Sequence, residues 1–271
     1  MKFTSISIGL LASLASINSV HAAASVQDCS LYISKQIINL FQSGLVTSNI
    51  EQCEKDGDSG IASGFINFTT ANGDALVVIK ALAKTEHYDG GFDKYLPILE
   101  KYAKSNSGST KGLDGYCNAW YSAAYYNPDF YKVQLQVAND LYRVPANQYA
   151  DKLKLKFAVS RAVIYDTAII NGVESDGDSL GGLVQTTNKQ FTKAKTGSSG
   201  STLSIDGVKV DEIVWVQKLL DNRLKANGSG DKANVNAYRY IIDQGKYDWK
   251  PSVKVPGPNG KINTVTCNAI L

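Results

Sequence analysis

The stretch that decides the fold is LKLKFAVSRAVIYDTAIIN, residues 153–171. It is the C-terminal part of the longest helical pattern in the chain, which predicts one continuous helix over residues 147–171. Apolar residues lie on nearly every face at its centre, which is typical of a buried helix. We therefore expect this helix to lie between two lobes. Asp166 falls within the buried stretch and should have a partner there, because an unpaired buried charge is costly.

Further helical patterns occur on both sides of this segment. Apolar spacing predicts helices over residues 29–44, 75–84, 93–103, 114–127, 129–144, 179–195, 210–226 and 234–245. Pro128 and Pro145 mark the two ends of the segment 129–144. The aromatic residues of 114–127 are expected to pack in the core. Residues 60–70, GIASGFINFTT, predict short strands and a hairpin. Residues 196–207 are predicted to be a flexible connection, and the tail from Tyr247 to be irregular and held by a disulfide.

These patterns predict a mainly α (α+β) fold, with two helical lobes around a long buried central helix and a small antiparallel β-sheet. Residues 1–23 have the charge, apolar run and small-residue end of a secretory signal peptide. Residues 24–271 are predicted to be a single domain of two lobes, secreted and monomeric. Four cysteines in an exported chain predict two disulfides, with three connectivities open. Asn67 and Asn227 each begin an N-glycosylation sequon, and we expect the first to be unused.

The composition excludes several classes of function. The net charge is +3 with both signs interspersed, so no nucleic-acid partner is expected, and no further segment reaches membrane-spanning length. After removal of the signal peptide His87 is the only histidine, and no CxxC spacing occurs, which argues against zinc and against a histidine-assisted nucleophile. Nucleotide-binding glycine motifs are missing, and no cofactor is expected. Carboxylates must therefore carry any proton transfer.

The segment EKDGDSGIASGFINFTTANGD, residues 54–74, concentrates acidic side chains around a short apolar alternation. In a secreted protein, paired carboxylates indicate glycoside hydrolysis, which needs one acid and one base. A solvated acidic turn explains the same residues, and composition alone favours it. A calcium loop is a weaker explanation, because the third oxygen ligand and the final Glu of such loops are missing.

Several segments, taken together, decide between these readings. They are LFQSG, CEKDGDSGIASGFINFTTANGD, YLPILEKYAKSNSGSTKGLDGY, AVIYDTAIINGVESDGDSLGG, LLDNR and NVNAYRYIIDQGKYDW. In this order they resemble consecutive pieces of the glycoside hydrolase family 46 chitosanases. The resemblance covers nearly all of the chain after the signal peptide. It implies a lysozyme-like fold with a cleft-side sheet, and hydrolysis of the β-1,4 links of chitosan with inversion.

The resemblance also implies roles for particular residues. Asp58 falls on the general base of the family, although the motif is one residue short and Ser59-Gly60 replaces a segment with a sugar-binding Arg. Asp74 falls on an Asp that binds a glucosamine ring. Asp166 and Arg223 fall on a buried network that supports the site.

The position of the general acid departs from the family. Where the family has Glu at the end of the first helix, LFQSG places Gln42, and a Gln side chain cannot donate a proton as a carboxylic acid does. Asn234 stands where the family has the Arg that supports this acid. A local misalignment, with Glu51 or Glu54 as the acid, is the alternative explanation.

Two hypotheses follow from these residues. The first is a chitosanase with Asp58 as base and impaired or relocated acid catalysis. The second is an inactive protein that binds chitosan or glucosamine oligosaccharides. A new role on the old scaffold is a third possibility that no residue favours.

Overall fold

The structure, a computed structural model, describes residues 26–249 and 251–267. The predicted signal peptide lies outside the described residues. The helices are α1 (Val26–Ser43), α2 (Asp74–Leu82), α3 (Leu96–Ser105), α4 (Tyr116–Tyr126), α5 (Phe130–Ala138), α6 (Val144–Leu153), α7 (Ala158–Asn171), α8 (Leu180–Lys189), α9 (Glu212–Asn227) and α10 (Lys232–Asp243). The strands are β1 (Cys53–Lys55), β2 (Ile61–Ser63), β3 (Phe68–Thr69), β4 (Thr202–Ile205), β5 (Val208–Asp211), β6 (Ser252–Pro256) and β7 (Ile262–Thr266).

The fold is mainly helical, in two lobes around a buried helix, as predicted. Helices α2 to α5 pack around the sheet β1-β2-β3 and form one lobe. Helices α6, α8, α9 and α10 form the other lobe with the hairpins β4-β5 and β6-β7. Helix α7 lies between them, in contact with α1, α6, α8, α9 and α10.

The buried centre of the predicted helix is confirmed, but its continuity over 147–171 was wrong. Helix α6 ends at Leu153, because Lys154 adopts a left-handed conformation with φ 61°, and α7 begins at Ala158. The buried carboxylate of Glu212, from α9, accepts the backbone N–H groups of Lys156 at 3.1 Å and Phe157 at 3.0 Å. These donors have no partner within α7, so a distant residue stabilises the helix start.

Two hairpins contradict the predictions for the later connections. The segment predicted to be flexible, residues 196–207, contains β4 and the turn to β5, in which Asp206 and Gly207 both have positive φ. Strand β5 also includes Val210 and Asp211, where a helix was predicted to begin. Asp-Gly in this conformation is a favoured two-residue hairpin turn, so a usable sequence signal was missed. The tail predicted to be irregular contains the antiparallel pair β6-β7. Its predicted disulfide is present, because Cys267 pairs with Cys29.

The second disulfide joins Cys53 of β1 to Cys117 of α4, which completes the two expected bridges. Tyr116 and Trp120 of α4 are buried, as the prediction of core packing requires. Tyr125 and Tyr126 are not part of this core, since they are 73% and 85% exposed. They lie in the last turn of α4, beyond the reach of the sheet.

A π-helical turn, Asn139–Arg143, joins α5 to α6, so one helical rod runs from Phe130 to Leu153. Pro145 therefore does not end a helix, contrary to the prediction. It lies in the first turn of α6, directly after the widened turn, where its missing N–H and its ring are tolerated.

A buried ion cluster holds α7 against α9. Arg223 of α9 contacts Asp166 of α7 at 2.7 Å and forms two parallel hydrogen bonds to Asp231, at 2.6 and 2.7 Å. The Arg223 guanidinium also donates to Thr167 at 3.2 Å. Asp166 thus has the buried partner that its position predicted, and Asp231 is a member that the sequence did not indicate.

We predict that Arg223→Met lowers the free energy of unfolding by about 3–5 kcal/mol, because it leaves two buried carboxyl groups without their cation. Arg239→Met is the matched control. Arg239 pairs with Asp221 at 2.6 Å on the surface, and loss of that pair should cost about 1 kcal/mol or less. Urea unfolding of both variants measures the difference. Equal losses would show that the buried cluster does not hold α7 against α9.

Candidate active site

A groove lies between the β2-β3 hairpin, the start of α2 and the end of α7. One section, of about 320 Å³, is lined by Asp58, Ser59, Ile66, Asn67, Thr69, Ala71, Asn72, Asp74, Asn106, Tyr142, Ile169 and Ile170. A second section, of about 450 Å³, shares Asn72, Asp74, Tyr142, Ile169 and Ile170 and continues to Glu174. Because the sections share these walls, they form one groove, which we call the acidic groove.

Asp58 lies at one end of the acidic groove, on the turn Gly57–Ser59 between β1 and β2. Its side chain is exposed, and its backbone is held closely from behind. A Cβ atom on Gly108 would lie only 2.2 Å from the carbonyl oxygen of Asp58, so only glycine fits at this contact. The loop after α3 therefore fixes the position of Asp58.

Asp74 lies in the middle of the acidic groove, at the first residue of α2. Its carboxylate accepts hydrogen bonds from the backbone N–H groups of Thr69 and Ala75, from Asn72 at 3.3 Å and from the Tyr142 hydroxyl at 2.7 Å. Burial raises the pKa of Asp74 to about 6, and the hydrogen bonds only partly oppose this effect. Asp74 therefore changes charge in mildly acidic solution.

We predict that an NMR titration of the Asp74 carboxyl carbon gives a pKa of about 6. Tyr142→Phe should raise it further, because it removes a hydrogen bond that stabilises the charged form. The raised pKa means that folded protein binds the proton more tightly than unfolded chain. Asp74 therefore contributes to the free energy of unfolding in full below about pH 4, by at most about 3 kcal/mol. This contribution is lost as the pH rises to about 6.

Asp74→Asn should remove this part of the pH dependence of the unfolding free energy. A titration of Asp74 at the ordinary carboxyl value, unchanged by Tyr142→Phe, would contradict the buried environment.

Gln42 lies at the end of α1, next to the wall of the acidic groove. Its Oε1 accepts a hydrogen bond of 2.9 Å from Nδ2 of Asn67, and Asn67 lines the groove close to Asp58. Asn67 has φ 58°, a left-handed conformation that Asn tolerates better than most residues. Its Oδ1 accepts from Gln52 at 3.1 Å, and Gln52 also donates to Glu54 at 3.2 Å.

The other residues predicted near the acid position, Glu51, Glu54 and Asn234, do not line the acidic groove. Glu54 is exposed on β1 and does not line the acidic groove. Asn234 is half-buried on α10, one turn before Tyr238, whose ring packs edge-on against Phe41 at 5.4 Å. Asn234 thus lies on the face of α10 directed to the end of α1. Among the described residues, however, Gln42 bonds to Asn67 and not to Asn234.

Asp166 and Arg223 lie behind the groove wall rather than in it. Asp166 is fully buried, and the residues one turn later on α7, Ile169 and Ile170, line the groove. Burial raises the pKa of Asp166, and the charge of Arg223 opposes this shift. The ion cluster can therefore act on the groove only by positioning α7.

Several residues that line the groove were not predicted as site residues, among them Asn67, Asn72, Tyr142 and Glu174. Asn67 was noted only as a sequon. Tyr142 reaches Asp74 across 68 positions of sequence, which no local pattern could show. Glu174 follows α7 in an acidic segment, GVESDGDS, that was interpreted as a loop.

Within residues 26–249 and 251–267, no three His, Cys, Asp or Glu side chains come close enough to hold a metal ion. None of the helices in the same ranges has the length and apolar character needed to cross a membrane.

Comparison with known proteins identifies the family. The profile of Glycosyl hydrolase family 46 matches residues 45–251, which is most of the chain. The chain belongs to glycosyl hydrolase family 46. The match includes Asp58, Asp74, Asp166 and Arg223 and begins three residues after Gln42.

Individual members agree with this assignment. A chitosanase from Bacillus subtilis (strain 168) is 37% identical over 191 residues, which is 70% of this chain and 64% of that relative's length. The chitosanase of Bacillus subtilis MY002 superposes with a TM-score of 0.75 and 30% identity over 88% of this chain and 98% of its own. A family 46 chitosanase from Gynuella sunshinyii gives a TM-score of 0.77 and 27% identity over 87% and 97%.

Proposed function

We propose that this family 46 protein binds chitosan in the acidic groove and hydrolyses its β-1,4 links slowly, with Asp58 as general base. One observation carries the proposal. The residues that line the groove include the carboxylates Asp58, Asp74 and Glu174 and no Lys or Arg. Protonated glucosamine units are cationic, so a groove with this charge attracts them and disfavours acidic polysaccharides.

The complexes of the structural relatives support the same ligand. A mutant chitosanase from Bacillus subtilis MY002 was solved with 6 GlcN, and the Gynuella sunshinyii chitosanase with chitotetraose. The groove of this chain is elongated, open and bounded by Asp58 at one end and Glu174 at the other. An extended chain of several sugar units fits such a shape better than a single small molecule does.

The chemistry proposed for Asp58 is activation of water. An inverting hydrolase needs a base on one side of the scissile bond and an acid on the other. Asp58 is exposed at the groove and free to contact water. At the position that the resemblance gives to the acid, Gln42 offers an amide, whose neutral form has no proton to donate to the leaving oxygen.

A relocated acid is less well supported. Glu54 is joined to Gln42 through the amides of Gln52 and Asn67, but it lies outside the groove lining. For Glu54 to act as the acid, its side chain would have to move from β1 into the groove. Otherwise the bound sugar would have to lie closer to β1. Since a general acid contributes about 10²–10⁴-fold, hydrolysis without one should be slow but measurable.

We predict that Gln42→Glu increases the rate of reducing-end release from chitosan at least about tenfold, because it restores a proton donor. Adding Asn67→Gly should increase it further. The Asn67 amide N–H would stabilise the ionised form of the new carboxyl, whereas a general acid must be protonated. Glycine fits the left-handed backbone at this position.

Gln148→Glu is the matched control, since it introduces the same carboxyl at an exposed position of α6 outside the groove. It should leave the rate unchanged. A rate for Gln42→Glu no higher than that of Gln148→Glu would reject Gln42 as the acid position.

A second prediction concerns Asp58. Asp58→Asn should abolish the residual hydrolysis and leave the affinity for hexaglucosamine within a few-fold of the wild type, because the amide keeps the shape of the side chain. Isothermal titration calorimetry and reducing-end assays on the same preparations measure both. Equal hydrolysis by wild type and Asp58→Asn would reject Asp58 as the base.

A chitosan-binding protein without turnover is the second candidate function. The hydrogen bond between Asn67 and Gln42 favours it, because this bond occupies the amide at the acid position and makes it part of the groove wall. Two results together would establish this alternative. The wild type would bind hexaglucosamine saturably, and its hydrolysis rate would be no higher than the background rate of Asp58→Asn. Absence of binding would reject both functions.

The proposal includes export and processing. We propose that residues 1–23 are removed and that residues 24–271 act outside the cell as a monomeric single domain, where the two disulfides are stable. We also propose that Asn67 carries no glycan. A glycan on its Nδ2 would prevent the hydrogen bonds to Gln42 and would fill the groove beside Asp58.

A further inference from the structure

A second cavity, which shares no lining residue with the acidic groove, lies between α1, α5, the π turn and α7. It measures about 220 Å³ and is lined by Lys35, Phe65, Lys132, Leu135, Gln136, Ala138, Asn139, Arg143 and Tyr165. Three of these side chains are cations, and none is Asp or Glu. We call this cavity the basic furrow.

The cations of the basic furrow are unpaired among the described residues. Arg143 is half-buried and forms no hydrogen bond or ion pair there, and its Nε atom is shielded from solvent. The other three arginines of the chain each contact an Asp, at 2.6 Å for Arg161, 2.7 Å for Arg223 and 2.6 Å for Arg239. Arg143 is therefore an exception that folding alone does not explain.

The surroundings make this arrangement unfavourable for an empty site. Lys35 is half-buried, and burial together with the nearby charge of Arg143 lowers its pKa. A buried polar group without a hydrogen bond costs free energy, and two neighbouring cations add repulsion. An anion between them would remove both effects.

The size and shape of the basic furrow limit the ligand. A cavity of about 220 Å³ holds a phosphate or sulfate group but not a sugar oligomer. Arginine binds such oxyanions through two parallel N–H donors, with lysines as flanking charges. The adjoining surface extends the furrow past Arg143 and Tyr165 towards Arg161 and its partner Asp151. In the other direction it continues past Lys35 and Leu135 towards Tyr131.

We propose that the basic furrow binds a tetrahedral oxyanion, phosphate or sulfate, with Arg143 as the main donor and Lys35 and Lys132 beside it. The anion is either free or one group of a linear polyanion that follows the extended furrow. The proposal does not depend on hydrolysis of chitosan, because the two cavities have separate walls.

The test is calorimetric titration of the full mature protein with sodium phosphate, without chitosan and at constant ionic strength set with sodium chloride. Wild type should bind phosphate saturably. Arg143→Gln should weaken binding at least about tenfold, and Lys132→Gln, at an exposed position that cannot disturb folding, should weaken it several-fold. Arg239→Gln, which removes a surface arginine elsewhere, should bind as the wild type does.

Titration with linear polyphosphate distinguishes the two sources of the oxyanion. A polymer along the extended furrow is indicated if each polyphosphate chain binds at least tenfold more tightly than phosphate does. In that case Arg161→Gln should reduce the affinity for polyphosphate. Similar affinities indicate a free ion. No saturable binding of either ligand, or equal binding by wild type, Arg143→Gln and Lys132→Gln, would overturn the proposal. Hexaglucosamine binding should be the same in all variants.

Discussion

The pairing of Arg223 with Asp166 and Asp231 is the interaction on which the position of α7 against α9 depends. It is buried where α7 meets α9, and it joins Asp166 to Arg223 and Asp231, which lie more than fifty residues later in the sequence. Such a cluster tolerates little movement, because each displaced charge would be left buried without a partner. Helix α7 is thereby held in one position, and its next turn supplies Ile169 and Ile170 to the acidic groove.

In the proposed function, the chemistry of the groove is limited by an amide rather than by a missing cavity. Asp58 is placed by tight backbone contact with Gly108, and Asp74 by four hydrogen bonds, so both residues are held in fixed positions in the groove. Gln42 is equally well held, by Asn67. A site can thus keep its shape and its charge while the group at one position, amide or carboxyl, sets the rate of hydrolysis.

Charge is separated between two faces of the protein. The acidic groove and the basic furrow lie on either side of the π turn, which contributes Tyr142 to the groove and Arg143 to the furrow. The β2-β3 hairpin likewise contributes a residue to each cavity, Asn67 to the groove and Phe65 to the furrow. The net charge of the chain is small, so this separation is invisible in composition. It would allow the two proposed ligands, one cationic and one anionic, to bind at once.

The sequence by itself determined the helical segments, the two-lobed class, the number of disulfides and the presence of an amide at residue 42. These depend on side-chain chemistry and on spacings of two to four residues, which local patterns report. Only the tertiary structure decided where α6 ends and α7 begins, which Asp joins Arg223, and that Asn67 binds Gln42. Each of these depends on a contact between residues that are neighbours in space but eight to more than fifty positions apart in sequence, such as Glu212 with Phe157. Periodicity carries no information about such contacts, because they exist only after the chain has packed.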